Sequence, residues 1–161
     1  MLVYLSLGAN LGNREQTINT ALDLLSAKVG PLLKRSTFFY SEPWGFDSPN
    51  EFCNLCASFD TVLSPLALLQ TTQSIEQQLG RTRANEKMKK WENEKMRKYQ
   101  DRPIDIDILC AFDGGKEITI NIQSSETSDY LVLPHPLMAK RPFVIVPLRE
   151  IAPDLPLFSQ K

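Results

Sequence analysis

The chain has 161 residues, 42% of them hydrophobic, and a formal net charge of −1. That is enough apolar material for one domain core, and the near-neutral charge gives no general argument for a nucleic-acid or membrane-surface partner. No run of eighteen apolar residues occurs, so the pattern predicts no membrane span. The cysteines Cys53, Cys56 and Cys110 all sit inside apolar runs. An odd count argues against a full disulfide set, and Cys53-x-x-Cys56 has no second pair or clustered histidines for zinc. On a strand its two thiols would face opposite sides, so the expectation is buried small hydrophobes.

Residues 2–7, LVYLSL, read as a first strand rather than a signal peptide, because no basic region precedes them. A cytoplasmic protein is therefore expected. GANLGN follows as a loop. Asn13 can cap a helix to about residue 28, with Ile18, Ala21, Leu22 and Leu25 on its buried face. Gly30-Pro31 stops it. KRSTFFYS, 34–41, suggests a second strand, EPWGFDSPN a turn-rich loop and FCNLCASFDTV, 52–62, a third strand. Ser64-Pro65 starts a helix on which Leu66, Leu69, Thr72, Ile75 and Leu79 fit one face, ended by Gly80. Residues 81–102 carry nine of the eighteen basic residues, including Arg81, Arg83 and Arg102. RPIDIDILC, 102–110, alternates as a fourth strand. Asp113-Gly114-Gly115 is a turn, after which KEITINI could return as a strand. YLVLPHP carries a short strand into a loop. FVIVPL is apolar and β-branched but limited by its proline, and residues 152–161 suggest a loosely packed tail.

The order strand, helix, strand, strand, helix, strand predicts an α+β fold, a βαββαβ open αβ sandwich with further elements after residue 110. A Rossmann domain is disfavoured, because Gly8-x-x-x-Gly12 has the wrong spacing for a dinucleotide fingerprint. No P-loop pattern occurs.

In RPIDIDILC, Ile104, Ile106, Ile108 and Cys110 fall to one side, and Asp105, Asp107 and Leu109 to the other. The two carboxylates stand roughly 6.6 Å apart at Cα by the usual strand rise. Their repulsion is tolerable on an ordinary solvated edge strand, or with a cation between them. Magnesium suits such hard oxygen ligands when substrate phosphates complete its shell. The neighbouring arginines can fork onto phosphate oxygens, and carboxylates plus arginines are the parts phosphoryl transfer needs. A solvated helix or loop of mixed charge is the competing reading of 81–102, with Met88, Trp91 and Met96 as its packing face. Gln73 and Glu76 share a helix face, where ordinary solvated polarity is an adequate explanation for either alone. His135, the only histidine, lies between two prolines and is open to a phosphate-donor, acid–base or structural role. Phe52 and Asn54 share a strand face, and an aromatic with an amide suits a flat polar heterocycle. Phe143 could complete a stack; an ordinary core role competes for all three, least comfortably for Asn54, whose amide must be hydrogen-bonded when buried.

YLSLGANLGNREQTI, FFYSEPWG, FCNLCASF, QSIEQQLGRTR, RPIDIDIL and LPHPLMAKRPFVIVPLREIAPDL, in this order, resemble the 6-hydroxymethyl-7,8-dihydropterin pyrophosphokinase family of folate biosynthesis over almost the whole chain. The resemblance implies one pyrophosphokinase domain over 1–161, a ferredoxin-like core with additional strands and helices, and a monomer. ATP would give its β,γ-diphosphate to the pterin hydroxymethyl group, releasing AMP. Asp105 and Asp107 would hold two Mg2+ ions. Gln73, Glu76, Arg81, Arg83, Arg102, Ile108, His135 and Arg141 would bind ATP or its phosphates, the three loop arginines and the aspartates also serving catalysis. Trp44, Gly45, Phe52, Asn54 and Phe143 would form the pterin pocket. Mobile loops would lie near 9–14, 42–50 and 81–101. The third is longer than in short family members, so its aromatic is Trp91 by type or Tyr99 by distance from Arg102. Pro136 stands where the family can have tyrosine. The rival from another class is an RNA-binding ferredoxin-like module using Phe52, Phe59 and residues 81–102, although the aromatic RNP pattern is missing.

Overall fold

The alternation in LVYLSLGA becomes β1 (Leu2–Ala9), the central strand of an antiparallel sheet. The computed structural model describes residues 1–42, 50–80, 103–123 and 130–159. β1 pairs on one side with β4 (Phe52–Asp60) and on the other with β5 (Asp105–Asp113). β2 (Leu32–Arg35) and β3 (Phe39–Ser41) both pair with β4, and β6 (Lys116–Glu117) pairs with the end of β5. The order is β2-β4-β1-β5-β6. With α1 (Arg14–Lys28) after β1 and α2 (Pro65–Gln78) after β4, this is the ferredoxin-like βαββαβ plan, β2 and β3 together serving as its second strand.

The helix starts follow from their caps. Asn13 Oδ1 accepts from Gln16 N at 3.2 Å, and its Nδ2 donates to Gln16 Oε1 at 3.2 Å. The first bond occupies one of the backbone donors that the first turn leaves without a helical partner, and the second ties the two side chains together. Ile18, Ala21, Leu22 and Leu25 are buried, as their spacing predicts. Gly30 adopts φ +150°, and a Cβ there would collide with the Asp60 carbonyl oxygen. On α2, Ser64 Oγ accepts from Ala67 N at 3.2 Å, with Pro65 in the first turn. Of the predicted face, Thr72 and Ile75 are buried and Leu69 and Leu79 pack half-buried against the core, while Leu66 is exposed and Leu68 and Glu76 are buried in addition.

Four further expectations are corrected. The single strand over 34–41 is two strands, because residues 36–38 span what residues 55 and 56 span on β4. Ser36 bridges the irregularity: its N donates to Cys56 O at 2.9 Å, and its Oγ accepts from Cys56 N at 3.0 Å. KEITINI splits between β6 and β7 (Ile120–Gln123), and β7 forms a separate two-stranded sheet with β8 (Tyr130–Leu133). FVIVPL is helical, within α3 (Pro142–Ile151). Pro142 sits in its first turn, and Val144, Pro147, Leu148 and Ile151 recur at helical spacing to bury one face, so amphipathic packing overrides β-branched propensity. The tail is docked: Leu155 is buried, and Phe158 of α4 (Pro156–Ser159) packs beside it.

Two core layers result. α1 and α2 cover one sheet face, over Val3, Leu5, Leu7, Leu55, Phe59, Ile106 and Ile108. α3 covers the other, over Cys56, Leu109 and Cys110. β5 reaches both layers through a bulge: Tyr4 opposes Cys110 while Leu5 opposes Ile108, leaving Leu109 extra. The bulge turns Cys110 away from the isoleucine face that simple alternation assigns it. Cys53 and Cys56 do lie in opposite layers.

All three thiols are buried and none is in a disulfide. Burial pushes Cys53 up to about 11 and Cys110 up to about 12, and it raises Cys56 further. At pH 8 the Cys53 thiolate fraction is then about one in a thousand. Iodoacetamide should leave the native protein almost unlabelled at pH 8 and label all three positions in denaturant; fast native labelling, followed by mass, would contradict the buried placement.

Candidate active site

Directly paired residues of an antiparallel ladder point to the same face. One row across the sheet therefore holds Phe39, Asn54, Gly8 and Asp105. The neighbouring row holds Cys56, Ser6 and Asp107, and Phe52 pairs with Ser41 on the other flank. The sheet thus brings the Phe52–Asn54 pair and the aspartate pair to one face, on either side of β1.

Gly8 is the residue that sequence reasoning missed, beyond rejecting it as part of a dinucleotide motif. A Cβ at Gly8 would lie 2.9 Å from Asn54 Oδ1 and 3.7 Å from Phe52 Cδ1. A bare backbone is needed there for the amide to lie across the strand. Glycine inside a strand-forming run was the available signal. Asn54 is 3% exposed, and its Nδ2 donates to Phe39 O at 3.0 Å and to Ser41 Oγ at 2.9 Å. Those bonds offset the cost of burying its NH2 group.

Asp105 and Asp107 are half-buried, while Ile104, Ile106 and Ile108 enter the helical core layer as predicted. A protein cation answers part of the carboxylate repulsion. Arg141 Nη1 lies 3.6 Å from Asp107 Oδ2, and its guanidinium lies 5.6 Å from the Phe143 ring centroid. Arg141 immediately precedes α3, which packs on β4, so this cation is delivered by the second layer.

Glu76 comes from the first layer. It is 3% exposed, and its Oε2 accepts from Ile106 N at 3.1 Å. β6 pairs with β5 only at Phe112 and Asp113, so at Ile106 the outer edge has no strand beside it among the described residues. The carboxylate stands in for a neighbouring strand, on the residue between the two aspartates. Gln73 is half-buried one turn earlier on α2. Ile108 has its side chain in the core at 4% exposure, so its accessible chemistry is that of the backbone.

His135 is held beside the β5 bulge, its N donating to Leu109 O at 2.7 Å. Its Nδ1 accepts from Leu137 N at 3.1 Å. The neutral ring therefore carries its proton on Nε2, which suits a donor to an anion rather than a base at that nitrogen. Two bonds tie the first expected loop to the start of β4: Asn10 Nδ2 donates to Asn50 O at 3.4 Å, and Arg14 Nη1 to Glu51 O at 2.6 Å.

Arg81, Arg83, Arg102, Trp44, Gly45, Trp91 and Tyr99 lie outside the described residues, as do the expected loop over 81–101 and most of that over 42–50. The RNA-binding alternative loses its platform. Phe59 is fully buried under the helices, on the opposite face from Phe52. No helix among the described residues is long and apolar enough to cross a membrane.

A family model described as 7,8-dihydro-6-hydroxymethylpterin-pyrophosphokinase matches residues 4–153. The chain is 44% identical over 154 residues to a Porphyromonas gingivalis protein named 2-amino-4-hydroxy-6-hydroxymethyldihydropteridine pyrophosphokinase, covering 96% of this chain and 92% of that one. A Bacillus subtilis protein of the same name is 33% identical over 151 residues, covering 93% and 77%. Among solved structures, wild-type Plasmodium falciparum HPPK-DHPS superposes with a TM-score of 0.62 at 16% identity, over 92% of this chain and 40% of the larger one. That likeness is one of fold, and this chain spans only part of that larger protein.

The Glu76 bond has a measurable consequence. Glu76→Ala leaves the buried Ile106 N–H without its carboxylate and should destabilise the fold by about 1–3 kcal/mol. Glu76→Gln keeps an oxygen acceptor and should cost less. Urea unfolding gives the ranking, and amide exchange at Ile106 should accelerate in Glu76→Ala; unchanged exchange there would refute the edge-strand role.

Proposed function

The chain belongs to the 7,8-dihydro-6-hydroxymethylpterin-pyrophosphokinase family, and on that premise we propose that the Asn54–Gly8–Asp105 row is where its reaction takes place. The reaction is ATP-dependent transfer of pyrophosphate to hydroxymethylpterin. The observation carrying the proposal is the row itself: Asn54 and Asp105 both oppose Gly8. Across two strand spacings they stand roughly 10 Å apart. An acceptor ring held at Asn54 and Phe52 can then extend its hydroxymethyl arm toward the carboxylates.

In this reading, Asn54 and the Phe52 ring bind the flat heterocycle, and Phe143, beside Arg141, closes over it. Asp105 and Asp107 fit magnesium: they are hard oxygen donors on one strand face, and among the described residues no group of three or more His, Cys, Asp or Glu side chains competes as a metal cage. Two ions are proposed, one arriving mainly with ATP. Bound magnesium would draw charge from the transferring phosphates and lower the pKa of the acceptor hydroxyl. Glu76 holds the strand between the aspartates in place. Arg141 orients Asp107 and faces the phosphates, joined in this role by Arg81, Arg83 and Arg102. Gln73 and the backbone at Ile108 line the nucleotide side. His135 donates from Nε2 to phosphate oxygen. The hydroxyl oxygen attacks the β-phosphorus, the bond to the α-phosphate oxygen breaks, AMP leaves with that electron pair and the hydroxyl proton passes to solvent. Since β1, β4 and β5 of one chain supply the row, one domain over 1–161 acting as a monomer suffices. Incubation with ATP, magnesium and 6-hydroxymethyl-7,8-dihydropterin, with products separated by mass, tests this: diphosphorylated pterin plus AMP is expected, and ADP with monophosphorylated pterin would refute the displacement.

Two substitutions separate the ends of the row. Asp105→Asn and Asp107→Asn keep side-chain shape but remove anionic ligands, so turnover should fall by at least about a hundredfold, the scale of lost electrostatic stabilisation. Thermal unfolding without nucleotide should change little; parental turnover at low magnesium would remove the catalytic assignment. Asn54→Leu should weaken pterin binding by about 1–3 kcal/mol, the cost of unpaired polar partners, and ATP binding much less. Calorimetry with each ligand checks this, and equal losses would point to the fold instead.

A further inference from the structure

We propose that Ser41 is a positioning residue for the acceptor, holding the Asn54 amide so that Oδ1, and not the NH2 group, meets the ligand. The proposal rests on the reading of the Asn54–Gly8–Asp105 row as the acceptor site and adds what selects the ligand edge there.

A primary amide has two donor hydrogens and one acceptor oxygen, and rotation by half a turn exchanges them. At Asn54 both hydrogens are committed, one to the Phe39 carbonyl at 3.0 Å and one to Ser41 Oγ at 2.9 Å. A flipped amide would set oxygen against the Phe39 carbonyl oxygen, where neither atom can donate. The Phe39 carbonyl belongs to the backbone and is present whatever the sequence. Ser41 is the side chain that completes the lock. Its own place is fixed, because it is the last residue of β3 and opposes Phe52 in the ladder.

The lock leaves one amide atom for a ligand. Oδ1 lies over Gly8, 2.9 Å from where a Cβ would stand and beside the Phe52 ring. An acceptor oxygen in that position selects a ring edge that presents N–H, such as an aminopyrimidinone, and discriminates against an edge presenting only lone pairs. With Ser41 truncated, one buried amide hydrogen loses its partner, and the side chain can rotate to bond elsewhere. The selectivity for a donor edge is then lost while Phe52 stacking and the aspartates remain.

The test measures binding of 6-hydroxymethyl-7,8-dihydropterin by calorimetry, on the full chain saturated with a nonhydrolysable ATP analogue and magnesium. Ser41→Ala should raise the pterin Kd by about threefold to tenfold, the range of one net hydrogen bond, with the affinity for the ATP analogue retained. Ser41→Thr restores the hydroxyl and should restore the affinity. The decisive arm is a cycle with Asn54→Ala: if Ser41 acts through the amide, adding Ser41→Ala to that variant changes the pterin Kd no further. An unchanged Kd for Ser41→Ala overturns the proposal, as does an equal additional loss in the Asn54→Ala background. Parallel weakening of both ligands with a lowered melting temperature also overturns it, assigning Ser41 to the fold. Parental pterin affinity in Asn54→Ala is a different failure, since it removes the acceptor site from this row.

Discussion

At the centre of the sheet, the side chains of Asn54 and Phe52 close in on Gly8, and the arrangement around it depends on the bareness of its backbone. Any Cβ would press on Asn54 Oδ1 at 2.9 Å, closer than ordinary carbon–oxygen contact allows. The amide would then leave the Phe39 carbonyl or the ladder would part. β1 is otherwise among the most deeply buried segments, with Val3, Leu5, Leu7 and Ala9 at 0% exposure, so the strand cannot shift to make room. A rigid backbone with one missing side chain gives a polar shelf inside a close-packed structure.

The shelf is held from both sides of the sheet by groups of opposite sign. Glu76, rising from the helical layer, bonds the backbone between the aspartates. Arg141, entering from the α3 layer, faces Asp107. Neither layer alone would fix the carboxylates, because strand geometry sets their spacing but not the position of the strand edge that carries them. The bulge at Leu109 divides β5 by purpose. On one side of it the strand shows carboxylates to the shelf, and on the other it is apolar toward both layers. The same bulge leaves the Leu109 carbonyl turned to receive His135 N, docking the loop that carries the imidazole.

What was legible in the sequence was what local rules determine. Asn13 and Ser64 announced their helices because a capping side chain acts on backbone two or three residues away. The alternation of Asp105 and Asp107 with isoleucines gave a strand and its two faces until the bulge, which depends on pairing with β1 and leaves no local mark. FVIVPL was misread for the same reason: valine and isoleucine favour strands until a buried stripe at helical spacing finds a sheet to cover, and that sheet is assembled from distant segments. The site followed the same division. Phe52, Asn54 and the aspartates could be picked out by type and spacing. Gly8 showed only as a glycine inside a strand-forming run, and Ser41 not at all, since the importance of both lies in which residue stands opposite. Glu76 resembled ordinary surface polarity on a helix, and its bond to Ile106 N, made across the tertiary fold, accounts for its burial.

The register of β1 also has a consequence for the order in which the protein acquires its chemistry. Gly8 meets Asn54 across one long connection and Asp105 across a longer one, which includes α2 and residues 81–102. Contacts so distant along the chain are costly to close and tend to form late in folding. A nascent or half-assembled chain can own Asn54 against Gly8 without yet owning the carboxylates, because β5 is the last of the four core strands to be synthesised. The Phe52–Asn54 end of the row can therefore form before the carboxylate end, which comes into being only with the completed sheet.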